Sequence, residues 1–323
     1  MILVTGGAGF IGYNIVRRLN LMGHQNIIIS DELNFKAAEI NLKKLKFIDY
    51  IKPKDVFSYE NLQDLSVIFH QGACSDTMEY DKQKMMEKNY EYSKKIFELA
   101  KLQNARFVYA SSASVYGLSQ DSKEISSNES PLNVYAESKL AFDNFIRNED
   151  YPAAGLRYFN VYGPGEENKG KMASMPYKMI NQYLADKEIS LFKGFNGYAD
   201  GGQKRDFISV EDVVSINMFF MENNISGIFN VGTGVARSFN DIALNIIGSN
   251  NKNEFSKVIK YFDMPEFLKD KYQNFTQANI NSLRASGYNY DFFTLEEGVK
   301  NYLRYVTVSY THLDAADDLL CVD

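Results

Sequence analysis

The first twelve residues, MILVTGGAGFIG, leave a chain few ways to fold. A short apolar run ends on a cluster in which Gly6, Gly7, Gly9 and Gly12 satisfy both GxGxxG and GxxGxxG, and a helical run follows. Glycines let the backbone turn tightly and approach a ligand, while the free N–H groups and positive dipole end of the next helix attract a pyrophosphate. Placement between a strand and a helix is what separates this pattern from a glycine-rich turn. Asp31 stands nineteen residues beyond Gly12, at the end of the apolar run NIIISD, where an acid can hydrogen-bond an adenosine ribose. The combination points to a bound dinucleotide; a strand-end capping role is the plainer alternative for Asp31.

Further short apolar runs, SVIFHQ (66–71), RFVYAS (106–111) and AAGLRYF (153–159), alternate with helical stretches at 79–103 and 134–148. That alternation predicts an α/β protein, a doubly wound parallel sheet of the Rossmann type covered on both faces. Ligands of such sheets sit at the carboxyl ends of the strands. After about residue 165 the texture changes to loops rich in Gly, Lys and Asn, such as GPGEENKGK and FKGFNGYADGGQK. We expect a dinucleotide-binding domain over 1–165, with parts of 205–245 returning to it, and a smaller interleaved α/β substrate domain over 166–305.

With 323 residues, 45% of them hydrophobic, the chain can bury a full core. It has no 18-residue apolar run and no leader-like N-terminus, so the expected location is the cytoplasm, with no membrane partner. Two cysteines (Cys74, Cys321) and three scattered histidines (His24, His70, His312) offer neither a disulfide framework nor a metal cluster. A net charge of −6 without a basic stripe argues against nucleic acid.

Chemistry-bearing residues cluster after the strands. In NVYAESK (133–139), Tyr135 and Lys139 are four apart, which stacks them on one helical face. A tyrosine titrates near pH 10 (about, in model compounds) and becomes a useful base only where a cation favours the phenolate. By itself the pair reads more readily as surface decoration of an amphipathic helix. Ser112, in YASSASVYG, is 23 residues before Tyr135, and its hydroxyl can donate to a substrate oxygen or satisfy its own turn. Gly72, Ala73 and Cys74 are small enough for close backbone approach to a cofactor, and Cys74 reads as a packed residue rather than a nucleophile.

TGGAGFIG, SSASVYG and YAESK, in this order and spacing, resemble the extended short-chain dehydrogenase/reductases, the NAD-dependent epimerase/dehydratase family. The resemblance implies that Tyr135 is the catalytic acid/base, that Lys139 lowers its pKa while holding the nicotinamide ribose, and that Ser112 assists the reacting oxygen. The later segments RYFNVYGP, NKGKMAS, RDFISVEDV, FNVGTG and KYQNFTQA are similar to the branch that inverts C6″ of an ADP-linked heptose, a lipopolysaccharide precursor. This likeness runs from Met1 to about Tyr305.

It implies a second catalytic base at Lys169, and cofactor contacts from Gly6, Gly9, Phe10, Ile11, Gly12, Asp31 and Glu32. Further cofactor contacts are implied from Gln71, Gly72, Ala73, Cys74, Ser75, Asn89, Lys139, Val161 and Lys169. Implied substrate contacts are Ser112, Asn160, Lys171, Lys178, Phe192, Lys193, Gly194, Phe195, Arg205 and Tyr272. The implied cofactor is NADP and the implied assembly a homo-oligomer, a homopentamer in the family resembled. Lys171 replaces a usual serine and Lys178 a usual histidine. Glu32 replaces a usual asparagine and Ala38 a usual lysine; adjacent carboxylates repel a 2′-phosphate, so NAD stays open although Lys36 could compensate.

Other activities remain as contrasts. A 4,6-dehydratase needs an acid and a carboxylate after Ser112, where Ala113 and Ser114 stand. A UDP-hexose 4-epimerase would use Tyr135 and Ser112 equally well. A non-catalytic dinucleotide sensor has no need of Ser112, Tyr135 and Lys139 together. Residues 308–323, VSYTHLDAADDLLCVD, resemble an appended adapter-derived sequence, and the last native helix, TLEEGVKNYLRY, is expected to end just before them.

Overall fold

A computed structural model describes residues 1–32, 39, 42–248, 252–269 and 272–317. Lys36 and Ala38, invoked for the 2′-phosphate, lie outside the described residues, as do 318–323 with Cys321. The strands are β1 (Ile2–Thr5), β2 (Ile27–Ser30), β3 (Asp49–Ile51), β4 (Val67–His70), β5 (Arg106–Ser112) and β6 (Ala153–Tyr158), followed by β7 (Asn160–Tyr162), β8 (Ile189–Phe192), β9 (Lys204–Ser209), β10 (Gly227–Val231), β11 (Ala236–Ser238) and β12 (Ile259–Phe262). Seven of them form one sheet in the order β10-β6-β5-β4-β1-β2-β3, every pair parallel. The order reverses between β1 and β4, which leaves a crevice at their carboxyl ends.

Alternation along each strand sends its side chains to two cores. Ile2, Val4, Ile29, Phe69 and Leu156 face one side, where α1 (Phe10–Leu21) contributes Ile15, Val16 and Leu19. Leu3, Ile28, Ile68 and Phe107 face the other, against the helices that follow β4 and β5. Burying each such side chain contributes about 1.5–3 kcal/mol. Both faces being covered explains why these strands read as continuous apolar runs.

The stretch expected as one helix over 79–103 is divided. Asp81 caps α2 (Lys82–Met86), a π-helical turn occupies Glu87–Glu91, and α3 (Tyr92–Gln103) continues. The wide turn gives Asn89 its inward direction, taken up below. Asn133 caps α4 (Val134–Arg147), its side chain accepting from the Ala136 N–H at 2.9 Å.

Beyond β6 the chain builds α5 (Met175–Asp186), then α6 (Val210–Glu222) and α7 (Phe239–Ile247), three short helices α8 (Lys252–Val258), α9 (Glu266–Lys269) and α10 (Asn281–Ala285), and α11 (Leu295–Asp317). α6 and β10 return to the large sheet, whereas β11-β9-β7 and β12-β8 form small sheets over a third core with Met179, Leu191, Ile242 and Val299. These pairings, like β3, escaped the sequence pattern because their strands, such as KRDFIS and DYI, lack the continuous apolar runs that marked β1, β2 and β4. The end of the last helix expected before residue 308 does not occur, since α11 runs unbroken to Asp317. Among the described residues no helix is long and apolar enough to cross a membrane.

Candidate active site

The glycine turn is packed so closely that larger residues would not fit. Gly6 has φ +67° and a Cβ there would lie 2.6 Å from the Gly72 nitrogen; at Gly12 it would lie 2.1 Å from the Gly6 oxygen. Gly9 opens α1 without a side-chain cap, so the helix's first N–H groups remain available to an anion. A cavity of about 600 Å³ opens beside this turn, between Thr5 and Gly6 on β1 and Gly72, Ala73 and Cys74 after β4. Asp31 and Glu32 form its outer wall with Lys54, Lys88, Lys95 and Tyr92. A backbone cradle at the sheet's reversal, with an acid on its outer wall, fits a nicotinamide dinucleotide.

Asp31 also organises the turn. Its Oδ2 accepts from the Ala8 N–H at 2.9 Å and the Gly9 N–H at 3.2 Å. Burial pushes its carboxyl pKa up against these bonds, and the Glu32 charge adds to the rise. Asn89, aimed inward by the π-turn, accepts from the Cys74 N–H at 2.7 Å and donates to the Cys74 carbonyl at 3.0 Å and to Ser138 at 3.0 Å. One amide thus ties the cofactor loop to the helix of Tyr135. Gln71 is turned away, accepting from the Tyr158 hydroxyl at 3.0 Å. Phe10 and Ile11 pack into the core of the sheet.

A second cavity, about 670 Å³, lies over the ends of β5 and β7. Ser112, Tyr135, Asn160, Val161, Lys169, Lys178, Phe192, Arg205 and Tyr272 line it, with Ser75 at its edge toward the first. Ser112 accepts from the Ser114 hydroxyl at 2.9 Å and hydrogen-bonds Tyr135. Burial raises the Tyr135 phenol pKa; the Ser112 bond opposes the rise and the Cys74 thiol adds to it. Lys139, expected to lower it, is not among the groups acting on this phenol. Lys139 instead donates to the Ala110 carbonyl at 2.9 Å, and its own burial brings its pKa down to about 8, with Asp143 opposing.

Lys169 comes from the turn Glu167–Met172, which Gly170 can make because it holds φ +51°. Its ammonium stands 5.1 Å over the Phe10 ring. Burial lowers the Lys169 pKa, with Glu166 opposing and Lys178 adding to the fall. On the far wall Arg205 is buried beneath Tyr272, its guanidinium 5.0 Å from the ring, and among the described residues no carboxylate pairs with it. A buried cation of that kind is suited to an anionic group of a ligand.

The remaining expected contacts lie outside this wall. The Lys171 side chain is exposed and only its carbonyl is engaged, by Lys178 at 2.7 Å. Lys193 pairs with Asp263 at 3.1 Å, the Gly194 N–H donates to Asp200 at 2.7 Å, and Phe195 packs under Lys269. The end of β8 presents Phe192 to the cavity, and the loop after it carries the next three residues away from that wall. Missing from the sequence reading were Lys54, Lys88 and Lys95, and Glu166 behind Lys169. Nothing in their sequence neighbourhoods distinguishes them from solvated charges.

Sheet order, glycine cradle and a Ser–Tyr–Lys cluster at the strand ends define a dinucleotide-binding α/β protein equipped for acid/base chemistry. The chain belongs to the NAD dependent epimerase/dehydratase family, whose model matches residues 2–232. It is 45% identical to ADP-L-glycero-D-manno-heptose-6-epimerase of Thiobacillus denitrificans, over 93% of this chain and 97% of that one. The crystal structure of the Helicobacter pylori ADP-L-glycero-D-manno-heptose-6-epimerase superposes with a TM-score of 0.82 at 34% identity, covering 95% of this chain and 96% of that one. A UDP-N-acetylglucosamine 4-epimerase from Methanobrevibacter ruminantium shares the fold, with a TM-score of 0.79 at 24% identity over 95% of this chain and 98% of that one.

Proposed function

We propose that this chain inverts C6″ of ADP-D-glycero-D-manno-heptose, giving ADP-L-glycero-D-manno-heptose through a transient 6″-ketone, in the supply of a lipopolysaccharide precursor. The observation that carries the mechanism is one cavity lined by two different proton-carrying side chains, Tyr135 and Lys169, whose pKa values are pushed in opposite directions by burial. The similarity to the heptose epimerases supports the choice of substrate.

A bound dinucleotide would supply hydride transfer from C6″ and back, so a full cycle would consume no reductant. The chain's own residues handle the protons. With its pKa lowered, Lys169 is poised to take the alcohol proton as the ketone forms; with its pKa raised, Tyr135 is poised to give one to the ketone oxygen. Ser112 donates to that oxygen while its charge changes. Returning hydride to the opposite face requires the sugar to present its other side, and two groups on different walls serve two orientations where one would serve only one. Arg205 holds the pyrophosphate, with Asn160, Lys178, Phe192 and Tyr272 around the sugar and nucleotide. Gly6, Gly9 and Gly12 hold the cofactor's pyrophosphate and Asp31 its ribose. NADP is the family expectation, and the Asp31–Glu32 pair keeps NAD as the alternative. The reading also takes in a cytoplasmic homo-oligomer.

Purified protein incubated with ADP-D-glycero-D-manno-heptose, without added cofactor, is expected to yield the L-glycero epimer by NMR. Accumulation of ketone with stoichiometric reduced cofactor would instead indicate a plain dehydrogenase, and turnover of UDP-hexoses alone a 4-epimerase.

A further inference from the structure

Behind Lys169 lies a carboxylate that the reaction scheme does not use. Glu166 has no exposed surface. Its Oε1 accepts from the Gly163 N–H at 3.1 Å and the Ser174 hydroxyl at 2.7 Å, and its Oε2 accepts from the Ser174 N–H at 2.6 Å. Gly163 is where the chain leaves β7, and Ser174 is the N-cap of α5, so one side chain joins both ends of the segment that carries Lys169. The Glu166 carbonyl also accepts from the Lys169 N–H at 2.9 Å. Burying a carboxylate costs several kcal/mol unless donors surround it; a structural loop closure could be made by a neutral amide without that cost.

We propose, on the reading of Lys169 as a catalytic group, that Glu166 is its positioning residue, a buried carboxylate that closes loop 163–174 and thereby fixes where the Lys169 amine stands and supports its charge. The charges around this amine are few. Glu166 attracts it, Lys178 from α5 repels it, and the ring of Phe10 from α1 lies beneath it. From α11 the Tyr302 hydroxyl is kept protonated by burial and by the Glu166 and Glu167 charges, with Tyr177 stacked on its ring. Glu166 is therefore the negative group that acts directly on Lys169. Without it the amine would lose its proton at lower pH and would hold less firmly the proton it takes from the alcohol.

The test is Glu166→Gln beside Glu166→Asp, read by trace acetylation across pH with the Lys169 and Lys139 peptides quantified by mass spectrometry. In Glu166→Gln the midpoint for Lys169 should move to lower pH while that for Lys139 stays put. The half-reaction assisted by Lys169, followed with a pre-oxidised substrate analogue, should slow by about 10- to 100-fold, the scale of a misplaced catalytic group, with the Tyr135 half unchanged. Glu166→Asp keeps the charge but reaches fewer donors, so it should slow the same half-reaction with a smaller shift of the midpoint. An unmoved Lys169 midpoint, or equal loss in both half-reactions, would overturn the proposal. Should Glu166→Gln fail to fold, the half-reaction split in Glu166→Asp decides in the same way. If Lys169 proves not to be catalytic, both half-reactions survive Lys169→Met, yet the acetylation midpoint still reports whether Glu166 governs the amine.

Discussion

Two walls of one cavity carry the proposed acid and base, and they are built differently. Tyr135 and Lys139 sit on α4, a regular helix whose underside is anchored by charge: Asp143 accepts from Tyr109 at 3.0 Å, Ser111 at 2.9 Å and Arg157 at 2.8 Å. Arg157 continues the network to Glu129 at 2.6 Å and to Tyr116 at 2.9 Å. Lys169 sits on a short turn with a left-handed glycine, closed by the Glu166 carboxylate, with Lys178 donating to the Lys171 carbonyl at 2.7 Å. The helix wall is over-determined by several elements, so loss of one bond leaves the geometry standing. The loop wall has one buried carboxylate, Glu166, at its centre, which makes its position and charge easier to tune.

The largest effect should separate the walls by chemistry. Tyr135→Phe and Lys169→Met are each expected to cut epimerisation by about 10²- to 10⁴-fold, the usual cost of losing a positioned acid or base. Each should spare the half-reaction served by the other wall, measurable with truncated or pre-oxidised analogues. If Tyr135→Phe killed both halves and Lys169→Met raised only KM, a single-base enzyme would be indicated and the two walls would not be counterparts.

Next comes stability. Asp143→Ala removes the acceptor of two hydroxyls and a fully buried guanidinium, and should cost about 3–5 kcal/mol in urea unfolding. A third test uses pH on the same helix. The Lys139 pKa falls from 10.5 to about 8 on burial, so between those values the unfolded chain binds a proton that the folded one does not. Stability attributable to this lysine therefore rises with pH from about 8 to about 10.4, by up to about 3 kcal/mol at 1.36 kcal/mol per unit. Measured as the difference between wild type and Lys139→Met at pH 7 to 10, a flat line would mean the amine is not desolvated. The smallest effect is expected on the loop, where Ser174→Ala removes an N-cap and one bond to Glu166 at a cost of about 1 kcal/mol. A loss matching that of Asp143→Ala would erase the contrast in how the walls are held.

What could be read ahead of the structure follows the same division. α4 and its Tyr135–Lys139 pair were legible because helical spacing is a local property. The glycine cradle was legible because only glycine tolerates those approaches. Lys169 was assignable only through family likeness, and Lys193, Gly194 and Phe195 were placed on the wall although their loop turns them outward. The helix expected over 79–103 was interrupted because a π-turn is set by where Asn89 must point, which no propensity encodes.

By itself the sequence determined the doubly wound sheet, its carboxyl-end site and the dinucleotide turn, since these rest on periodicity, glycine sterics and strand–helix alternation within short windows. Only the tertiary structure decided that Lys139 faces the Ala110 carbonyl, that Arg205 is buried without a carboxylate partner among the described residues, and that Glu166 closes the Lys169 loop. Those outcomes depend on desolvation and on partners tens or hundreds of residues away. A charged residue looks the same in sequence whether water or the protein interior surrounds it.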